Sequence, residues 1–333
     1  MRESLRVVVT EPIMDRFRSV LTRDGTSPHR WTFVREQDAP SLAADADVLV
    51  CSAATPQLLG AAPDLQLVHV TGAGVDKIPV GHLPPTAALV NTFHHGRSIA
   101  EHVLMVSMML LRRVPAADRA MRRGEWRNVV VDDAHPFGGV LAGRTMGIVG
   151  LGEIGGSVAE LAGLLGMRVR AVRRDPGAPA PAAVEHVGPV SQLHAMLAAS
   201  DVVVVTVPLN EHTRGLVDAA ALAAMRSDAV LVNVARGAVV DEQALHDALS
   251  AGTIGGAGID VWWRNPRDAD APPPSNLDFT GFANVVLTPH QSGHTEEVFA
   301  GRAADIADNV DALAEGRPLR NVVRPALRPA AGR

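Results

Sequence analysis

The stretch from Arg144 to Arg170 constrains the fold of this chain more than any other. Thr145 to Val149 is an apolar run too short for a helix and reads as a strand. Gly150-Leu-Gly-Glu-Ile-Gly155 follows as G-x-G-x-x-G, after which Ile154, Val158, Leu161 and Leu165 recur at helical spacing. Val169 to Val172 is then a second strand. Strand, tight turn, helix and strand in this order predict a dinucleotide site. Gly150 permits the sharp turn, Gly152 lets a pyrophosphate approach the backbone, and Gly155 lets the helix pack close to the strand. At Glu153 and Ile154 the new helix begins, and its free N–H groups and positive dipole end face the phosphates.

Short apolar strands recur on both sides of this turn. Leu5–Val9, Trp31–Val34, Val48–Cys51, Leu67–Val70 and Leu89–Asn91 precede it; Val184–Val187, Val202–Val207, Val230–Val234, Gly256–Asp260 and Val285–Leu287 follow it. Helix-like segments lie between them, so the expected class is α/β, with two Rossmann-like doubly wound parallel-sheet domains. One long helix is expected from Ser98 to about Arg123, apolar nearly all round in its first half and therefore buried. Glu296 to Leu313 reads as a final helix, followed by a Pro- and Arg-containing tail that is loose at its end. Ligands of such sheets bind beyond the carboxyl ends of the strands, which draws attention to Arg173, Val207-Pro208, Ala235-Arg236-Gly237, Asp260 and His290. Thr71-Gly-Ala-Gly-Val-Asp76 also follows a strand; a turn of this kind is either a plain βα loop or a set of N–H donors for an anion.

Composition narrows the partners. With 333 residues, 47% of them hydrophobic, the chain can bury about two cores. A net charge of -5 without a basic run argues against nucleic acid, which needs clustered Lys or Arg. Val103–Leu111 is apolar but bounded by Glu101, His102, Arg112 and Arg113, too short to span a membrane. The single Cys51 rules out a disulfide framework, no signal peptide is read in Leu5–Val9, and a reducing cytoplasm is the expected compartment. His94 and His95 have no third ligand at a familiar spacing, so no metal is expected.

Taken together, the motifs Gly150–Gly155, Val207-Pro-Leu-Asn-Glu-His-Thr-Arg-Gly-Leu-Val217, Asn233-Val-Ala-Arg-Gly-Ala-Val-Val-Asp241, Gly256-Ala-Gly-Ile-Asp-Val261 and Thr288-Pro-His-Gln-Ser-Gly293 resemble the D-isomer-specific 2-hydroxyacid dehydrogenase family over almost the whole chain. The resemblance implies a discontinuous substrate-binding domain, residues 1–97 plus 295–333, and a dinucleotide-binding domain, residues 98–294, with a cleft between them. It also implies a homodimer built on the helix after Ser98. Arg236 matches the arginine that holds the substrate carboxylate, and His290 the histidine that exchanges a proton with the carbonyl oxygen. Ala73, Gly74 and Val75 match the loop that grips the carboxylate, and Asp260 the aspartate at the nicotinamide end. Val207, Pro208, Thr213, Val234, Ala235, Ser292 and Gly293 fall in the family's cofactor segments. Read alone, Arg236 and Asp260 pass for surface ion-pair partners and His290 for a structural histidine.

Two departures stand out. In Asp260-Val-Trp-Trp-Arg-Asn-Pro266 the family usually has Glu before the proline, where this chain has Asn265. A neutral amide cannot supply the charge that favours imidazolium, so His290 is expected to stay largely neutral near pH 7 and carbonyl reduction to be favoured at lower pH. Asp268 and Asp270 are the nearby carboxylates that could replace the missing one. At the end of the second cofactor-domain strand, Arg173 and Arg174 stand where an acidic residue would repel a 2′-phosphate. The expected cofactor is therefore NADP rather than NAD, with the alternative that Asp175 reaches back to bind NAD. His94, His95 and Arg97 precede the long helix where the family presents substrate-facing residues, and together they suit a substrate with a second anionic group. The expected activity is interconversion of a 2-oxo acid and a D-2-hydroxy acid. Two other readings stay open, namely hydride abstraction from a formate-, phosphite- or phosphonate-like anion, and a nucleotide-sensing binding protein with little turnover.

Overall fold

The computed structural model describes residues 4–35, 38–264, 266 and 271–327. Its strands in chain order are β1 (Arg6–Val9), β2 (Arg30–Phe33), β3 (Val48–Cys51), β4 (Leu67–Val70), β5 (Ala88–Val90), β6 (Thr145–Val149), β7 (Arg168–Val172), β8 (Val184–Gly188), β9 (Val202–Val205), β10 (Val230–Asn233), β11 (Gly256–Ile259), β12 (Val285–Leu287) and β13 (Val322–Arg324). The α-helices are α1 (Arg18–Leu21), α2 (Ala39–Ala43), α3 (Pro56–Gly60), α4 (Gly96–Leu111), α5 (Val114–Arg122), α6 (Glu153–Leu164), α7 (Leu193–Ala198), α8 (Ala219–Ala224), α9 (Glu242–Ser250) and α10 (Glu296–Glu315). They form two compact units, Met1–His94 with His294–Arg333, and His95–Gly293. The division comes earlier than residue 97 because α4, which begins at Gly96, packs along α6 and belongs to the second unit.

In the first unit the strand order is β13-β5-β4-β3-β1-β2, parallel except for β13 against β5. Val48, Leu49, Val50 and Cys51 are all buried because helices cover both faces of the sheet, as expected of a parallel α/β layer. The second unit has the order β12-β11-β10-β9-β6-β7-β8, parallel throughout. Order reverses between β6 and β9, so the crevice at the end of β6 is the topological switch point where ligands of such sheets bind. Val149 pairs with Val172 on one side and Val205 on the other, which brings three strand ends level with Gly150.

The single helix expected from Ser98 to Arg123 is two. α4 ends at Leu111, Arg113 takes the left-handed conformation (φ 55°), and α5 starts at Val114. Pro115 is the cause: it has no N–H to donate to Leu111, and its ring would clash with that carbonyl in a continuous helix. The Leu111 carbonyl instead accepts from Gly139 N–H at 2.8 Å.

The end of the tail, past Leu327, lies outside the described residues, and the part before it is tied down. β13 adds an antiparallel edge strand, and Asn309 of α10, itself buried, binds the Arg320 N–H (2.8 Å) and carbonyl (3.3 Å). The same Asn309 amide donates to His69 Nε2 (3.1 Å), while His69 Nδ1 faces the Val70 carbonyl (3.2 Å), so the imidazole is neutral. Complete burial pushes its pKa down to about 4. Because the folded value lies below the unfolded one, the stability it contributes is full above about pH 6.5 and is lost as the pH falls towards 4. Between pH 7 and 4.5 the wild type should lose about 2 kcal/mol more stability than His69→Gln in urea unfolding. Equal acid losses in the two proteins would contradict this assignment.

Candidate active site

Three glycines shape the turn after β6. Gly150 has φ +100°, and a Cβ there would lie 2.6 Å from Val207 Cγ1. A Cβ on Gly155 would lie 2.2 Å from the Gly150 carbonyl oxygen, so α6 approaches the strand as only glycine allows. Gly152 differs, because a Cβ there meets nothing within 4 Å: its open side leaves room for a phosphate at the N-terminus of α6. Glu153 is the first residue of that helix, and Ile154 packs into the core behind it. Beyond the end of β7, Arg173 bonds the carbonyls of Leu151 (3.4 Å), Ala178 and Pro179 (3.1 Å), while its Nε is buried without a partner. Arg174 is exposed, and Asp175 turns onto its own loop by accepting from Gly177 N–H at 3.1 Å. An open glycine face and an orphaned guanidinium nitrogen are what a phosphorylated dinucleotide would fill, so the residues fit such a group.

Past β9, the Thr213 hydroxyl donates to the Pro208 carbonyl (2.6 Å) and accepts from Asn210 N–H (2.8 Å), stapling the loop that carries Val207 and Pro208. After β10, the buried Asn233 side chain spans a tight turn, accepting from Ala235 N–H (3.1 Å) and donating to the Arg236 carbonyl (3.1 Å). Val234 and Ala235 are buried, whereas Arg236 leaves the turn in extended conformation, half-buried, with Nη1 on the Ala235 carbonyl.

After β11 comes Asp260, 1% exposed, whose carboxylate accepts from Thr288 Oγ1 (2.6 Å), Gln291 N–H (2.8 Å), Ser292 N–H (3.1 Å) and Ser292 Oγ. Burial alone would raise its pKa, but these bonds outweigh the burial and hold the carboxyl below the usual carboxylate range. The turn it clamps carries His290 at φ +55°, a left-handed backbone that costs a residue with a side chain about 1 kcal/mol and persists where the surroundings impose it. His290 N–H meets the Asp260 carbonyl (2.7 Å) and the Thr288 carbonyl (3.1 Å). α4 backs the same turn: Ser98 Oγ donates to the Ser292 carbonyl (2.9 Å), and the buried His95 leaves a Cβ on Gly293 only 3.3 Å from its own. His102, facing Thr288 Oγ1 at 3.5 Å, has its pKa lowered by burial against the opposing pull of Asp260.

Within the second unit, then, Arg236, Asp260 and His290 follow successive sheet strands at their carboxyl ends. Asn233, Trp262, Thr288 and His102, which the sequence reading passed over, brace them. The signal for Asn233, Trp262 and Thr288 was their place in the quoted segments beside the residues with assigned roles; His102 lies in none of those segments. In the first unit the Ala73 carbonyl accepts from Asn91 Nδ2 (2.7 Å), and no described backbone carbonyl accepts from the N–H of Ala73, Gly74 or Val75. His94 pairs with Asp305 (2.9 Å) and Arg97 with Glu101 (2.7 Å), so carboxylates answer two of the three cations read as a second anion site. Asn265, Asp268 and Asp270 lie outside the described residues. Among the described residues no group of acidic, histidine or cysteine side chains is arranged to hold a metal ion.

Residues 104–292 match the model of the D-isomer specific 2-hydroxyacid dehydrogenase NAD binding domain. This chain belongs to the D-isomer specific 2-hydroxyacid dehydrogenase family. It is 34% identical over 287 residues to a glyoxylate reductase of Korarchaeum cryptofilum, covering 84% of this chain and 83% of that protein. It is 30% identical over 332 residues to a D-3-phosphoglycerate dehydrogenase of Archaeoglobus fulgidus, covering 98% of this chain and 60% of that one. The chain thus spans about half the length of the phosphoglycerate dehydrogenases it matches, 48% to 60% of each. Among solved structures, an NADPH-dependent glyoxylate/hydroxypyruvate reductase from Sinorhizobium meliloti, in complex with NADP and malonate, superposes with a TM-score of 0.78 at 27% identity, covering 98% of this chain and 99% of that one. The matched residues all lie in the second unit, which is therefore this family's NAD-binding domain.

Proposed function

We propose that this family member is an oxidoreductase that interconverts a 2-oxo acid and a D-2-hydroxy acid, with NADP preferred over NAD. The observation that carries the reading is the Asp260-clamped turn, which holds His290 in a left-handed conformation at the end of a sheet strand. The first unit is the substrate-binding domain and the second the dinucleotide-binding domain. Bound nicotinamide supplies or accepts the hydride. Arg236 holds the substrate carboxylate with its planar fork and polarises the adjacent carbonyl. His290 gives a proton to the carbonyl oxygen in reduction and takes it back in oxidation. The N–H groups of Ala73, Gly74 and Val75 are further donors for the carboxylate, and His95 faces the substrate. Asn265 stands at the position of the family's glutamate and, as a neutral amide, cannot supply that residue's charge to His290.

On the cofactor side, Gly150, Gly152, Glu153, Ile154 and Gly155 form the pyrophosphate turn. Val207, Pro208, Thr213, Val234, Ala235, Asp260, Ser292 and Gly293 border the nicotinamide half. Arg173 and Arg174 take the 2′-phosphate, a role supported by the exposure of Arg174 beyond β7 and by the Asp175 carboxylate being turned onto its own loop. NADP in the Sinorhizobium relative agrees with this. The purified protein should therefore reduce 2-oxo acids such as glyoxylate or hydroxypyruvate with a kcat/KM at least about tenfold higher for NADPH than for NADH. Preference for NADH defeats the cofactor assignment, and nucleotide binding without turnover on any acid of the panel defeats the enzyme reading.

A homodimer is the proposed assembly. Met105 and Met108 on α4 are each 44% exposed, and Trp126, Val130 and Phe137 in the segment after α5 are more exposed still. Apolar surface concentrated in one stretch of a chain is characteristic of an interface, and a second copy is the partner the family supplies. No helix among the described residues is long and apolar enough to cross a membrane, and the lone, buried Cys51 suits a reducing cytoplasm.

A further inference from the structure

We infer that Trp262 is a positioning residue for His290, and that it ties the turn carrying the proton-transfer group to the turn carrying Arg236. Three observations meet on this side chain and its backbone. Its indole Nε1–H donates to the Thr288 carbonyl at 2.8 Å. That same carbonyl accepts the His290 N–H at 3.1 Å, so one oxygen joins the two residues. On the other side the Trp262 backbone lies against Gly237, where a Cβ would fall 2.2 Å from the Trp262 carbonyl carbon, and Gly237 directly follows Arg236.

Asp260 and Trp262 divide the work on the His290 turn. The Asp260 carboxylate gathers Thr288 Oγ1 and the N–H groups after His290, while the Trp262 indole fixes the one carbonyl before it. Without the indole N–H, the Thr288–His290 peptide pair keeps its outer anchors, but the Thr288 carbonyl loses the shorter of its two hydrogen bonds. The neighbouring Trp263 has anchors of its own, Nε1–H to the Val240 carbonyl (2.8 Å) and stacking on Phe279, so this segment keeps a hold on the core when the Trp262 donor alone is removed. Displacement of the imidazole then slows proton transfer while leaving the grip on substrate and nucleotide unchanged.

The inference rests on the proposed role of His290, and the experiment separates the two. Trp262→Phe keeps an aromatic ring and removes the donor; benzothienylalanine at position 262, which keeps the bicyclic shape without the N–H, serves if the phenylalanine variant does not fold. Single turnovers of 2-oxo acid reduction by NADPH are measured in the wild-type and His290→Asn backgrounds, together with KM, nucleotide Kd and Tm. The expected result is a loss of about tenfold in the rate of chemistry in the wild-type background, with KM and Kd within about twofold, and no further loss in the His290→Asn background. An unchanged rate, or the same loss in both backgrounds, overturns the inference, the latter because the indole would then act through something other than His290. Undiminished turnover by His290→Asn alone overturns the parent reading, and the inference with it.

Discussion

Replacing His290 with asparagine is expected to lower kcat for 2-oxo acid reduction by about a thousandfold and leave NADPH binding within about twofold. Asparagine is the informative substitution because, among residues with side chains, it best tolerates the left-handed backbone at this position, φ +55°. The Asp260 clamp uses Thr288, Gln291 and Ser292 rather than the imidazole, so the turn keeps its anchors in the variant. What disappears is a group able to give up a proton near neutral pH. The pH dependence carries the same signature. Reduction consumes the protonated imidazole, and with Asn265 in place of a carboxylate the wild-type rate should rise as the pH falls below neutrality, while the variant's residual rate stays flat. The clamp itself does not titrate in that window. Its carboxyl lies below the usual carboxylate range, so the hydrogen bonds are intact above about pH 4 and are lost only as the pH falls through the depressed value. A variant kcat within tenfold of wild type, or a wild-type profile flat from about pH 5 to 9, would remove His290 from the proton path.

Arg236→Leu should reduce kcat/KM by about a thousandfold, since two charge-assisted hydrogen bonds at about 1.5–3 kcal/mol each are lost from the substrate carboxylate. Arg236→Lys should recover only part of this, because an ammonium cannot match both carboxylate oxygens in one plane. The fold should scarcely notice either change. The turn is held by the Asn233 side chain through the Ala235 N–H and the Arg236 carbonyl, both backbone groups, and the Arg236 side chain is only half-buried. Unfolding free energies within about 1 kcal/mol of wild type are the accompanying expectation. A leucine variant that keeps more than a tenth of wild-type kcat/KM would mean that the carboxylate is held elsewhere.

The chain's two parallel sheets were legible because both faces of each are covered, which makes strands such as Val48–Cys51 and Val202–Val205 unbroken apolar runs. Boundaries were less so. The split at Arg113 was written in Pro115, yet the apolar period carries past it and reads as one helix unless the missing N–H is counted. β13 could not be anticipated from Val322–Arg324 alone, since a three-residue edge strand is decided by Asn309 and His69 holding the chain before it.

At the site, local sequence dictated whatever depends on backbone freedom or side-chain chemistry: the left-handed Gly150, the close approach at Gly155, a guanidinium at 236 and an imidazole at 290. The family resemblance assigned Asp260 to the nicotinamide, and local sequence could not show that the same carboxylate gathers the turn of His290. Nor could it show that Trp262 and His290 share the Thr288 carbonyl, or that His94 already faces Asp305. These are contacts across strands or between a helix and residues far along the chain. They exist only once the parallel register places strand ends side by side, and that register comes from burying whole sheets rather than from any of the residues that meet there.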